Sequence, residues 1–333
     1  MVAARVEHKI DLFAEARSTQ MNDQLARTTP GMVKVVAPAK VNLFLGVGAR
    51  RNDGYHAAMN IMHAVNLHDV LYMQLKPGAD DATGLTVRVS MSSREGIAPL
   101  ALPSQDNLVH RAIVQLAQRL GRTQHEAIEV HLEKHIPAQA GLGGGSSDAA
   151  AALVGAASLW GIAPDDPVLE ETARSLGSDV AFFLYGGCAR FGGAGEVFEC
   201  SLAPMKKQLV LIKPDSGVST AAAYCAFDEC SYPISTVLEQ KALQARQAQE
   251  VPLFNNLAPA AEQLLPVLAD MRVWAGAQLG VESVLLCGSG STTFVVCSDF
   301  DAACRLSAAA RQQGWWARTT AFGSAKATVI PRM

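Results

Sequence analysis

The 333 residues carry 28 Lys and Arg against 31 Asp and Glu, a formal charge of −3, with 18% charged and 49% hydrophobic residues. That balance excludes a disordered chain, and the length suits about two domains with buried cores. With a pI near 6.2 there is no general attraction to nucleic acid or to an anionic membrane, so phosphate binding, if any, is expected to be local.

Residues 1–31 mix Arg, Glu, Asp and Gln, lack the apolar core of a secretory signal, and hold too many acids for a transit peptide. They read as an extension outside the fold, consistent with a true start at Met32, or alternatively as a helix packed on the first domain. Alternating and β-branched residues then predict a strand over 33–48, and Asn52-Asp53-Gly54 is a hairpin-turn signal. Further strands are predicted at 70–75 and 85–92, a helix over 106–120 after cap residues Ser104 to Asp106, and a strand with one wet face over 127–136. A Gly-rich loop leads into an Ala-rich helix ending at Trp160-Gly161, and a second helix over 166–176 ends at Gly177. A second unit begins near residue 200. Its buried strands are expected at 208–214 and within 283–297, and its helices at 235–248, 257–270, 271–279 and 300–313. The absence of a regular βαβ rhythm points to an α+β fold with an extension at 1–31 and domains at 32–199 and 200–333. The seven cysteines are odd in number and lack CxxC spacing, while the histidines sit mostly in the other half of the chain. Free thiols in a reducing cytoplasm are expected, and a zinc site is not. No apolar run reaches the roughly 18 residues of a membrane span, so a protein without membrane partners is expected.

The stretch IPAQAGLGGGSSDAAAAL (136–153) carries the chemistry. Gly141, Gly143, Gly144 and Gly145 allow backbone N–H groups to turn toward one point, and Ser146, Ser147 and Asp148 suit the start of the Ala-rich helix, whose dipole would aim at the same point. That combination is an anion site suited to phosphate. It is neither a Walker loop, lacking the terminal Gly-Lys-Ser/Thr, nor a dinucleotide fingerprint, whose third glycine is missing. By itself it reads equally well as a turn before a tightly packed small-residue helix.

The loop resembles the Pro-x-x-x-Gly-Leu-Gly-x-x-Ser motif of the GHMP kinases, here Pro137, Gly141, Leu142, Gly143, Ser146 and Ser147. Two further family motifs stand in order, APAKVNLFLGV (37–47) and LLCGSGSTTFVV (285–296). RNDGYHAAMNIMHAV, LGSDVAFFLYGG and FNNLAPA narrow the resemblance to the branch of the family whose acceptor is 4-diphosphocytidyl-2-C-methyl-D-erythritol (CDP-methylerythritol). It runs from about Val33 to the C-terminus and implies a ribosomal-protein-S5-like N-terminal domain, a ferredoxin-like C-terminal domain and a cleft between them. It further implies ATP held by Pro137, Ala138, Gln139, Ala140 and the loop through Ser147, with Mg²⁺ on ligands the sequence does not identify. Lys40 and Asp179 are implied as the catalytic pair, and Asn42, Tyr55, His56 and Tyr224 as the acceptor site, the tyrosines offering flat faces for a pyrimidine and His56 a hydrogen bond to its edge. The chain departs from the family at Ala181, where Pro is usual, and at Gln139 and Ala140, which leaves every chemical group in place. Taken singly, Lys40 also suits an edge strand, Asn42 a turn cap, Tyr55 and His56 an exposed loop, and Asp179 a helix cap.

Three other classes compete. A homoserine or mevalonate kinase would share the loop but lack Asp-Gly-Tyr-His. A binding module without catalysis would have dispensed with Lys40 or Asp179, and a Rossmann oxidoreductase needs the intact fingerprint. Monomer and homodimer are both open.

Overall fold

The computed structural model describes residues 31–52, 54–78, 84–94, 96–97, 106–122, 125–230 and 232–331. The extension expected at 1–31 lies, but for Gly31, outside them.

Two long antiparallel strands form the spine, β1 (Met32–Arg50) and β2 (His56–Pro77), joined at the expected hairpin, where Arg50 pairs with His56. β2 runs well beyond the strand predicted over 70–75. Its first half shows no alternation in the sequence because Asn60 and His63 are buried along with their apolar neighbours, so both faces of the strand are covered. β3 (Leu85–Ser93) lies parallel to β4 (Glu126–Lys134), and β4 pairs with β2. β5 (Cys188–Gly192) pairs with β2 and with β6 (Val197–Leu202). The sheet also takes two strands from the second half of the chain: β8 (Phe254–Asn255) and β12 (Thr328–Ile330) both pair with β1.

Two helices cover one face of this sheet, and a third packs against them. In α1 (Leu108–Arg119) the Asn107 side chain accepts from the Val109 N–H at 2.9 Å, and Val109, Ala112, Ile113 and Leu116 form the buried stripe at helical spacing. α2 (Gly144–Trp160) is closed by Gly161 in the left-handed conformation, and α3 (Pro167–Leu176) is capped by Asp166. A short turn of helix, α4 (Phe182–Tyr185), follows. The Ala-rich sequence of α2 has a packing cause. Most of its residues are buried, because it lies between the sheet and the neighbouring helices.

The second sheet has the order β11-β7-β10-β9, all antiparallel, from β7 (Gln208–Lys213), β9 (Val281–Leu286), β10 (Thr293–Cys297) and β11 (Trp316–Ala321). Alternate residues serve two cores. Leu209, Leu211 and Phe294 meet Val41, Leu43, Phe44 and Ile61 of the first sheet, whereas Val210, Ile212 and Val295 pack beneath the helices of this unit. Those helices are α5 (Thr220–Glu229), α6 (Thr236–Gln244), α7 (Ala258–Leu264), α8 (Val267–Gly276) and α9 (Phe300–Gln312). The helix boundary expected at 270/271 falls earlier, because Leu265 precedes Pro266 and leaves the helical region (φ −140°, ψ 84°). α5 and β11 have no counterpart among the predicted elements. α5 buries only Ala223 and Phe227, too few positions to show a period.

Gly155 marks where α2 meets the sheet. A Cβ there would lie 2.3 Å from Met73 Sδ and 3.0 Å from Val35 Cγ2, both fully buried residues. On a free helix Gly→Ala stabilises by about 1 kcal/mol; here the methyl group overpacks the core, which costs about 1–3 kcal/mol. Gly155→Ala is therefore expected to lower the urea midpoint, and a rise would show that α2 has room to move.

Candidate active site

A cavity of about 980 Å³ is lined by the middle and end of β1, the start of β2, the end of β4, the 137–146 loop, residues 178–179, α5 and Gly288-Ser289. Its three regions carry different chemistry.

At one end the chain leaves β4 and turns into α2. Gly143 is the N-cap, in the left-handed region (φ 72°, ψ 17°), and no side chain caps the helix. The helix begins two residues before the expected Ser146, so the first-turn N–H groups of Gly144, Gly145 and Ser146 have no intrahelical acceptor. Pro137, Ala138, Gln139, Ala140, Gly141 and Leu142 line the cavity together with these residues; Ser147, fully buried, is not among the lining residues. The loop is held from both sides. Lys40 N–H donates to Leu142 O (3.0 Å), while Thr292 N–H donates to Ala140 O (3.1 Å) and Ser291 N–H to Gln139 O (3.3 Å). At Gly141 (φ 72°) a Cβ would fall 2.1 Å from Cys287 O, so only glycine permits the approach of the two loops.

In the middle, Lys40 Nζ stands 3.1 Å from Asp179 Oδ2. Lys40 lies in the interior of β1 and is 3% exposed, which removes the edge-strand alternative. Its Nζ donates to Asn42 Oδ1 (2.9 Å), whose Nδ2 donates to Asn60 Oδ1 (2.8 Å). Asn60 lines the cavity and carried no signal in the sequence. Asp179 caps no helix in this arrangement; α4 has no side-chain cap.

At the far end Tyr55, 68% exposed, stands at the mouth of the cavity with His56, Tyr224 and Asp228. The rings of His56 and Tyr224 are 5.3 Å apart, and His56 Nε2 is 2.7 Å from Asp228 Oδ1. Asp228 was not legible in the sequence, since α5 itself was not. Burial, and then the Asp179 carboxylate, push the Tyr224 hydroxyl up to about 12, so the ring stays neutral.

Beneath the loop is a buried group of charges. Lys134 donates to Asp148 Oδ2 (2.6 Å) and to Asp69 Oδ2, and Asp69 Oδ1 accepts the Ile136 N–H at 2.8 Å as well as the His135 N–H. These bonds tie the end of β4, the loop and the first turn of α2 together. The Lys134 ammonium is opposed by burial but held up by Asp148 and then Asp69. Burial pushes the Asp148 carboxyl up to about 8 against the pull of Lys134, and its Oδ1 has no hydrogen-bond partner among the described residues. Because that value lies above the ordinary 3.8, the protonated carboxyl contributes stability that is complete below 3.8 and is lost as pH rises to about 8. Asp148→Asn imitates the protonated group. Its melting temperature relative to the unsubstituted protein is expected to climb between pH 5 and 8, and a constant difference would mean that Asp148 is ionised throughout.

No three His, Cys, Asp or Glu side chains among the described residues are grouped to hold a metal ion, and no helix among them is long and apolar enough to cross a membrane.

The model of the GHMP kinases N terminal domain matches residues 107–187, which hold the loop, α2 and Asp179. The 4-diphosphocytidyl-2-C-methyl-D-erythritol kinase of Desulfitobacterium hafniense (strain Y51) is 36% identical over 287 residues, 85% of this chain and 93% of that one. The enzyme of the same name from Thermobifida fusca (strain YX) is 38% identical over 315 residues, 90% of this chain and 99% of that one. The crystal structure of a 4-(cytidine 5'-diphospho)-2C-methyl-D-erythritol kinase superposes with a TM-score of 0.69 at 34% identity, covering 87% of this chain and 99% of that one. Similarity of this degree along nearly the whole of each relative shows that the chain belongs to the 4-diphosphocytidyl-2-C-methyl-D-erythritol kinase family of GHMP kinases.

Proposed function

We propose that the protein transfers the γ-phosphoryl group of ATP to the 2-hydroxyl of CDP-methylerythritol, in the methylerythritol phosphate route to isopentenyl diphosphate. One observation carries this reading. The Lys40–Asp179 pair lies in a single cavity with an uncapped helix N-terminus at one end and Tyr55, His56 and Tyr224 at the other. The family, and the names its members carry, agree with it.

Phosphoryl transfer leaves little covalent work to the protein; it requires alignment, a proton acceptor and stabilisation of spreading charge. Asp179 takes the proton of the attacking hydroxyl as the new O–P bond forms and the bond to the β-phosphate oxygen breaks, with ADP leaving. Lys40, oriented by Asn42 and Asn60, pairs with Asp179 and donates to the attacking oxygen as its charge develops. The N–H groups of the 137–147 loop and the dipole of α2 hold the triphosphate, so the distant Lys40 stands in functionally for the lysine of a Walker loop. Asp148 lines the cavity with an oxygen that has no hydrogen-bond partner among the described residues, and it would be the carboxylate to hold a Mg²⁺ ion together with the phosphates, giving up its proton as the ion binds. Such an ion supplies neutralisation of phosphate charge. The seven cysteines, none in a disulfide, suit a cytoplasmic setting.

The direct test is transfer from ATP to CDP-methylerythritol by the purified protein, with mevalonate and homoserine as rival acceptors; turnover of a rival alone would refute the assignment. Asp179→Asn and Lys40→Ala are each expected to lower kcat by about a hundredfold or more with ATP binding nearly unchanged. The double variant should lose much less than the product of the two losses, because the residues act as a unit. Near-normal turnover by Asp179→Asn would return Asp179 to a structural role.

Stacking on one base is worth about 1–3 kcal/mol, or roughly one to two powers of ten in affinity. Tyr55→Ala should accordingly raise KM for the cytidyl acceptor by that factor and leave KM for ATP unchanged, whereas equal effects on both would indicate a folding defect.

A further inference from the structure

The strongest polar contact at the base end of the cavity is made by a residue with no role in the reaction above. His56 enters from the start of β2, Asp228 from α5, 172 residues later, and Nε2 meets Oδ1 at 2.7 Å. We propose that Asp228 is a positioning residue that fixes the tautomer of His56 and thereby makes the site select cytosine over uracil. The proposal rests on the cytidyl acceptor of the preceding section.

A carboxylate only accepts hydrogen bonds, so Nε2 must carry the proton. In a neutral imidazole the other nitrogen is then a bare acceptor. Among the described residues Nδ1 makes no hydrogen bond, and His56 lines the cavity. The ring is not free to turn over and exchange its nitrogens. It is 8% exposed, faces Tyr224 at 5.3 Å and takes the edge of Phe227 at 6.0 Å and 88°. The carboxylate is itself steered, since Arg50 Nη1 approaches its other oxygen at 3.9 Å.

The two pyrimidines differ at the edge such an acceptor reads. Cytosine carries an exocyclic amino group, a donor, where uracil carries a carbonyl oxygen. An acceptor at Nδ1 bonds the first and opposes its lone pair to the second, and a site built to make one hydrogen bond rejects the ligand that leaves it unmade. Without Asp228 the imidazole is free to place its proton on either nitrogen. The Nδ1–H form would bond uracil instead, so the expected consequence is lost discrimination. An ion pair that merely tied α5 to β2 would move stability and leave base choice alone.

The test compares CDP with UDP as ligands by calorimetry, and the corresponding methylerythritol conjugates as acceptors, for the unsubstituted protein, Asp228→Ala and Asp228→Glu. The cytidine-to-uridine preference is expected to fall at least about tenfold in Asp228→Ala, through KM for the cytidyl acceptor, with KM for ATP unchanged. Asp228→Glu, which keeps an acceptor, should restore part of it. On the unsubstituted protein, which needs no variant to fold, the ¹⁵N spectrum of His56 at pH 8 should show Nε2 protonated and Nδ1 bare. Equal preference in folded Asp228→Ala, or a proton on Nδ1, overturns the proposal. Failure to phosphorylate the cytidyl conjugate at all would sink the kinase assignment instead, while CDP and UDP binding would still decide the role of Asp228.

Discussion

The approach of two glycine-bearing loops is the constraint from which the site follows. Gly141 comes so near the Cys287 carbonyl that no side chain fits between them, and Ala140 and Gln139 accept hydrogen bonds from Thr292 and Ser291. One loop opens α2 in the first unit, and the other joins β9 to β10 in the second. Their contact therefore ties the anion end of the cavity to both halves of the chain. The bond from Lys40 N–H to Leu142 O ties the same loop to the strand that presents the central ammonium group. The loop and the strand that carries Lys40 are thus tied by backbone, an arrangement in which charged groups act by orientation rather than by rearranging.

The charges are arranged by depth. A chain with a formal charge of −3 has no long-range pull on phosphate, so the cations that matter are buried and local. Lys40 and Lys134 are 3% and 7% exposed, and each is met by carboxylates. Lys134 contributes to architecture, joining β2, β4 and α2 through Asp69 and Asp148. Lys40 faces the cavity and is left with a single carboxylate, Asp179, and the Asn42–Asn60 relay. Burying an ion costs several kcal/mol unless it is paired, and this penalty holds both lysines in single, defined positions.

The base end is built differently, across the two units, with His56 from one and Tyr224 and Asp228 from the other. Its geometry depends on side-chain contacts between β2 and α5, whereas the geometry of the 137–147 loop depends on backbone hydrogen bonds. The two ends are therefore open to separate perturbation, although the cavity is continuous.

The sequence by itself determined what is local. Gly-rich spacing, the Ala-rich run and the Asn52-Asp53-Gly54 turn have their effect within a few residues, so they marked the loop, α2 and the hairpin without knowledge of the rest, whereas the cap of α1 falls at Asn107, one residue beyond the expected Ser104 to Asp106. Three ordered motifs were enough for the family, and through it pointed to Lys40, Asp179, Tyr55 and His56, which the fold gathers in one cavity. Tertiary structure alone decided what depends on partners far along the chain. Alternation in the first half of β2 vanished because a second sheet covers its other face, and α5 had too few buried positions to show a period. Asn60 and Asp228 are ordinary polar residues until folding brings them to Asn42, 18 positions away, and His56, 172 positions away. A hydrogen bond is directional and short, so its partners are settled by three-dimensional placement, and no spacing along the chain encodes them.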